Sequence, residues 1–206
     1  MEKTVEDMLR REYFDLLSSI RKTVDELEVK IRHALIPLKK TLRPHERIET
    51  RARVKECESA IDALRRREEG RIFDKSSPDK YSLCNLKDLA GVRILVFPRR
   101  YMEQIDELIA QQLPDWQPDP IKISGRLLAF KYCGYLEARS IICAEYQIVS
   151  MLIGLFWEVE HDSLYKPSLD LKGLAPIMED TTKTVYDALD KFEEEFDQRS
   201  RESSNR

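Results

Sequence analysis

Apolar residues recur at three- and four-residue steps over the first 36 positions: Val5, Met8, Leu9, Leu16, Leu17, Ile20, Val24, Leu27, Ile31, Ala34 and Leu35. This period is one face of an α-helix. With no Gly or Pro before Pro37, it predicts a single long helix ending near Ile36. Positions 20, 24, 27, 31 and 34 also carry coiled-coil spacing. The face therefore suits its own domain or a second copy, and packing within one domain is the commoner outcome. Pro44 and the charged residues after it break the pattern. Residues 51–69 predict a second helix, basic at its end (Arg65, Arg66, Arg67) and closed by Gly70. A loop follows over 71–86. Residues 91–97 are short, apolar and β-branched, which predicts a buried strand. A helix over 101–113 ends at Pro114, strands follow at 126–132, at 136–143 and from 145, and a helix over 152–165 ends before Pro167. The last helix, 176–198, turns Val185, Leu189, Phe192 and Phe196 inward, with a disordered tail from Ser200.

This order predicts an α+β fold: a small mixed sheet covered by helices, with helical extensions at both ends. Only six glycines in 206 residues agree with a helix-rich chain of few tight turns. Charged residues reach 35% yet nearly cancel, leaving a net charge of -3. That balance argues against a broad basic coat for nucleic acid, while leaving room for a local basic site. No apolar run approaches the roughly 18 residues of a spanning helix, and the first residues lack a signal pattern, so a cytoplasmic protein is expected. Cys57, Cys84, Cys133 and Cys143 form no C-x-x-C pair, which disfavours a zinc site.

Four groups of residues carry chemistry. Asp88 precedes the buried strand and Glu145 heads a later one; strand ends are where an open sheet places reactive groups. Two such acids suit one Mg²⁺, a hard cation that keeps substrate phosphates in its shell. Read by position alone, each acid is better explained as a helix cap or a surface partner of Arg. Arg53, Lys55 and Ser59 come next. On a helix Lys55 and Ser59 share a face, and with Arg53 they suit a polyphosphate. Alone they read better as a solvated basic face. In the third group, Lys131 precedes Gly134 and Tyr135, where a Gly beside an aromatic lets a flat ring approach the backbone and a base stack on it. Gln147 lies on the same side of its strand as Glu145. Last, Trp157, His161 and Tyr165 share one helical face.

Taken together, these groups resemble the RelA/SpoT-type alarmone synthetase domain. The phrases are Arg53-Val-Lys55 with Ser59, Asp88-Leu-Ala-Gly91-Val-Arg93-Ile, Lys131-Tyr-Cys-Gly134-Tyr135, Glu145-Tyr-Gln147-Ile, and Trp157-Glu-Val-Glu160-His161 with Tyr165-Lys166. The likeness covers about 47–167. It implies a helical extension over 1–46, a synthetase domain over 47–167, and a C-terminal helix and tail over 168–206. Helices flanking a lone synthetase domain are similar to the small alarmone synthetases, which are cytoplasmic and often oligomeric, so a homo-oligomer through the terminal helices is among the expected partners.

The resemblance implies a nucleotidyltransferase-like fold and Mg²⁺-dependent transfer of the β,γ-pyrophosphate of ATP to the 3′-hydroxyl of GDP or GTP. By position, Asp88 and Glu145 would bind Mg²⁺, with Glu145 also drawing on the hydroxyl proton. Arg53 would stack on adenine, and Lys55 and Ser59 would hold ATP phosphates. Lys131 would meet the acceptor's phosphates, Tyr135 would stack on guanine, Gln147 would orient the ribose, and His161 would support the site. The sequence departs from the family's wording after Tyr135, with Leu136, Glu137, Ala138 and Arg139, and only nine residues separate Tyr135 from Glu145. Cys133 stands where Asn is common. The donor half keeps the pattern better than the acceptor half. Two alternatives therefore stand beside GDP or GTP: a toxin-like enzyme acting on the 3′ CCA end of tRNA, and a degenerate nucleotide-sensing or interaction module. The chain has only three histidines, His33, His45 and His161, and its one adjacent His-Asp pair, His161-Asp162, falls within the Trp157-Glu160-His161 phrase, so an alarmone hydrolase centre is not expected.

Overall fold

The computed structural model describes residues 4–123, 126–160 and 174–204. Helix α1 spans Val5–Lys39 and opens on a reciprocal cap: the Thr4 hydroxyl accepts from the Asp7 amide, and the Asp7 carboxylate accepts from the Thr4 amide. The helix runs through Pro37 instead of stopping at Ile36. Pro37 forfeits one backbone hydrogen bond, but continuing the helix seats Leu38 in the core beside Leu35. Leu9, Ile20, Leu27, Ile31 and Leu35 are sealed in the same cluster as Val92, Ile94, Val96 and Tyr146 of the sheet. The apolar stripe is thus taken up by its own chain, and the coiled-coil positions Ile20, Val24, Leu27 and Ile31 lie buried there.

The remaining elements are β1 (Arg47–Val54), α2 (Cys57–Arg65), β2 (Ala90–Phe97), α3 (Met102–Ala110), β3 (Gln117–Pro118), β4 (Ile121–Ile123), β5 (Arg126–Gly134), β6 (Ala144–Ser150), α4 (Met151–Glu160) and α5 (Leu174–Ser204). The strands make one six-stranded sheet in the order β1-β2-β6-β5-β3, with β4 also paired to β5. β2 and β6 run parallel, and the other pairings are antiparallel. This is the expected small mixed sheet under helices. No helix among the described residues is long and apolar enough to cross a membrane.

Other expectations change as well. Residues 51–54 belong to edge strand β1, and the helix begins only at Cys57. Ile48, Thr50, Ala52 and Val54 alternate with charged residues in β1, a period of two masked by weak apolar content. Residues 136–143 form a connection, not a strand. Its turn is held by the Ser140 hydroxyl, which accepts from the Ile142 amide at 3.2 Å. The C-terminal helix continues through Ser204, beyond the expected start of a tail.

The sheet has two unlike faces. On one, Val92, Ile94, Tyr146, Ile148, Phe130 and Tyr132 pack against α1, α2 and α3. On the other, Leu95, Ala129 and Val149 meet Ile153 of α4, with Tyr186 and Leu189 of α5 packed alongside. Gly154 lets α4 sit directly on that second face: a Cβ there would come 2.5 Å from a Leu95 methyl and 2.9 Å from a Val149 methyl. α5 docks largely through charge. Arg99 pairs with Asp190, Arg100 with Glu46 and Asp197, and the Ser150 hydroxyl donates to Glu193 at 2.5 Å. Phe192, expected inside, is 53% exposed, because the inward stripe of α5 is filled by Asp190, Glu193, Phe196 and Asp197 instead.

If α1 is part of the main core, Leu27→Ala costs the whole fold about 2–5 kcal/mol. Urea unfolding then shows one transition at a lower midpoint. A separate early transition for a detached helix, with the main midpoint unmoved, would contradict this packing.

Candidate active site

Strand register assembles the site. Across β1, β2, β6 and β5, Arg53 lies opposite Gly91, Gly91 opposite Glu145, and Glu145 opposite Cys133. The next row is Arg51, Arg93, Gln147 and Lys131. Directly paired residues point to the same face of a sheet. Both rows therefore share the face whose other end is covered by α4 and α5. Gly91 leaves the space beside Glu145 open: a Cβ there would touch the Glu145 side chain at 3.5 Å.

Asp88 sits two residues before β2, and the Lys55 ammonium contacts its carboxylate. Lys55 is 8% exposed. Its backbone is pinned on both sides, with its N–H on Leu89 O at 2.9 Å and its carbonyl accepting from the Tyr13 hydroxyl at 2.9 Å. Burial and the neighbouring Asp88 charge push the Glu145 carboxyl above its usual range, while Lys131, Arg53 and Lys55 pull it back. Five of the expected residues thus act electrostatically on one spot. Burial works against the charge of Lys131, but its hydrogen bond to Asp119 and the Glu145 charge outweigh it and raise its pKa. The Lys131–Asp119 pair is 2.6 Å long.

Other expected residues are placed differently. Lys55 lies in the link between β1 and α2, so it does not share a helical face with Ser59. Ser59 instead lies exposed in the first turn of α2. Tyr135 follows β5 and is 54% exposed. The flat ring that Gly134 admits belongs to Trp116: a Cβ at Gly134 would lie 2.6 Å from that indole. Cys133 is buried, and burial together with Glu145 holds its thiol at about 11, so it is a packing residue and not a nucleophile. His161, Tyr165 and Lys166 lie outside the described residues.

The structure adds a layer that sequence reasoning missed. Gln147 donates to Glu145 at 2.8 Å and accepts from Arg93 Nε at 3.1 Å. Arg93 in turn meets Glu158 of α4 at 3.2 Å and lies over the Trp157 ring at 4.9 Å. The available signal was Arg93 itself, the one charged residue in the buried run of β2.

Among the described residues, no three or more metal-ligating side chains gather. Two carboxylates, Asp88 and Glu145, still match the donor set of Mg²⁺, which takes one or two carboxylates and completes its shell with water and phosphate oxygens. Lys55, Arg53 and Lys131 around them supply the positive charge that a polyphosphate needs.

No protein-family model matches the sequence, and no curated protein does. Solved structures do match. Small alarmone synthetase 1 from Bacillus subtilis superposes with a TM-score of 0.69 at 18% identity, over 95% of this chain and 100% of that one. The same synthetase bound to its product pppGpp gives 0.69 at 20% identity, over 94% and 99%. A GTP pyrophosphokinase family protein from Streptococcus pneumoniae gives 0.54 at 22% identity, over 89% and 95%. The chain shares the fold of these structures over 89–95% of its length.

The raised Glu145 pKa has a consequence for stability. In the window above the ordinary carboxylate range, the folded chain holds a proton there that the unfolded chain has lost. Stability therefore falls as pH rises through that window. Glu145→Gln removes this cost, so the variant melts higher than the native chain at neutral pH. The gap narrows as pH is lowered towards about 4. An equal or lower melting temperature at neutral pH would contradict the electrostatic account.

Proposed function

We propose that the protein transfers the β,γ-pyrophosphate of ATP to the 3′-hydroxyl of GDP or GTP. The observation that carries this reading is the pair of carboxylates, Asp88 and Glu145, gathered with Arg53, Lys55 and Lys131 at one end of a sheet face. The shared fold supports it: one structure with this fold holds pppGpp and another AMPCPP. In the reaction, the acceptor 3′-oxygen bonds to the β-phosphorus of ATP, the bond from that phosphorus to the α,β-bridging oxygen breaks, and AMP departs.

In this reading each residue takes the role that the family resemblance implies for it. Arg53 offers its guanidinium as a platform for adenine, in the row that contains Glu145. Lys55 and Ser59 flank the N-terminus of α2 and hold phosphates, with helical N–H groups turned the same way. Lys131 faces the acceptor's phosphates, and the exposed ring of Tyr135 stacks on its base. Gln147 keeps one amide N–H for the acceptor ribose, since its other contacts go to Glu145 and Arg93. Glu145, whose raised pKa suits a proton acceptor, takes the 3′-hydroxyl proton. Asp88 and Glu145 would hold Mg²⁺, which when bound would supply charge neutralisation for the transferred group. Such transfers depend mainly on positioning and electrostatics, which these groups provide.

Incubation with γ-labelled ATP, Mg²⁺ and each acceptor in turn tests the reading. Label moves to GDP or GTP. Asp88→Asn and Glu145→Gln abolish transfer while keeping the fold. Lys55→Ala and Arg53→Ala slow transfer to every acceptor roughly ten- to a hundredfold. Tyr135→Ala raises KM for the guanine nucleotide by about 1–3 kcal/mol equivalent. Label on a tRNA 3′ end with none on guanosine would replace the acceptor. No transfer to any acceptor would overturn the activity.

A further inference from the structure

We propose that Glu158 on α4 is a positioning residue that fixes the orientation of Glu145 through Arg93 and Gln147. The contacts form an unbroken chain. One Glu158 oxygen accepts from Arg93 Nη1 at 3.2 Å, Arg93 Nε donates to Gln147 Oε1 at 3.1 Å, and Gln147 Nε2 donates to Glu145 Oε1 at 2.8 Å. The other Glu158 oxygen accepts from Arg51 Nη1 at 2.7 Å, so a single carboxylate on α4 grips two neighbouring strands.

The polarity of the chain explains why it needs its far end. A Gln amide presents a carbonyl on one side and an NH₂ on the other, and the two are nearly equal in shape. Arg93 has donors only, so it compels the Gln147 carbonyl to face it and turns the NH₂ towards Glu145. If the guanidinium swings away, the amide is free to flip and present its carbonyl to a carboxylate, which repels it. Arg93 is held by two groups from one helix: the Glu158 charge on its edge and the Trp157 ring on its face at 4.9 Å. The guanidinium is largely buried, its side chain 17% exposed, and burial opposes its charge. A facing carboxylate is what such a site requires. Gly154, one turn before Glu158, seats α4 against Leu95 and Val149 without a spacer and sets how closely Glu158 approaches.

The inference rests on the reading of Glu145 as a carboxylate of the reacting site, and its test separates the two. Glu158→Gln keeps the shape and removes the charge. Its kcat for pyrophosphate transfer falls roughly ten- to a hundredfold, while KM for ATP stays within about twofold. In a Gln147→Leu background, which deletes the relay, the same substitution has no further effect on kcat; a purely structural role for Glu158 would add its cost in full. A second readout needs no activity. In the protein without nucleotide or metal, the side-chain NH₂ resonances of Gln147, identified by their loss in Gln147→Leu, shift or broaden in Glu158→Gln. Where Glu158→Gln does not fold, Trp157→Leu removes the ring beneath Arg93 and is read in the same way. An unmoved Gln147 amide, or additive losses in the double variant, overturns the relay. An inactive native protein overturns the proposed function and leaves the amide readout to decide the relay alone.

Discussion

The parallel pairing of β2 with β6 is the constraint from which the site follows. It sets Gly91 against Glu145 and Arg93 against Gln147, and the antiparallel neighbours β1 and β5 extend those rows to Arg53 and Lys131. A slip of one residue would exchange faces, sending Glu145 and Gln147 into the core and Tyr146 and Ile148 to the open side. The apolar face therefore enforces the polar one. Tyr146 is fully buried, Tyr132 stacks on it at 4.9 Å, and Trp116 lies 5.5 Å away. The ring of Trp116 also fills the space that Gly134 leaves, so the end of β5 and its Tyr135 are set by packing on the far side of the sheet.

Charge is concentrated where the fold gains least from it. Two carboxylates share one end of the sheet face, and burial raises the cost of ionising Glu145. The cations facing them arrive from four places: the edge strand (Arg53), the link before α2 (Lys55) and, one row behind, β5 (Lys131) and β2 (Arg93). Such a cluster favours ligands bearing several negative charges, because Lys55, Lys131 and Arg93 are already partly stripped of water. It also makes the site the part of the sheet that the apolar core must carry. The residues sealed around α1 are numerous enough for that, whereas the second cluster behind the site is small.

Much of this was legible in the residues. The long amphipathic run gave α1, the apolar β-branched run gave β2, and the alternation at 145–149 put Glu145 and Gln147 on one side. The family resemblance named candidate residues from motif order, five of which the structure brings together, and the comparisons, at 18–24% identity, find the same fold. Three things were not legible, each for a physical reason. β1 is an edge strand whose outward positions are all charged, so its period of two is carried by a few modest side chains. The inward face of α5 is acidic, and an acidic stripe reads as solvent-facing until Arg99, Arg100 and Ser150 are known to meet it. The Glu158–Arg93 contact joins residues 65 positions apart, a distance over which no local pattern speaks.

The larger cluster has a bearing on how the protein is made. Every residue of it lies between Val5 and Ile148. As the chain leaves the ribosome, the main hydrophobic body of the sheet is complete before α4 and α5 have been synthesised, and amino-terminal parts of a chain generally fold first. Glu46 and Arg100 can already meet, and Asp197 joins them only at the end. The last two helices thus close over a preformed sheet. Among the described residues, α4 brings the final polar contacts of the site, so a nascent chain can hold its carboxylates in register well before the support behind them exists.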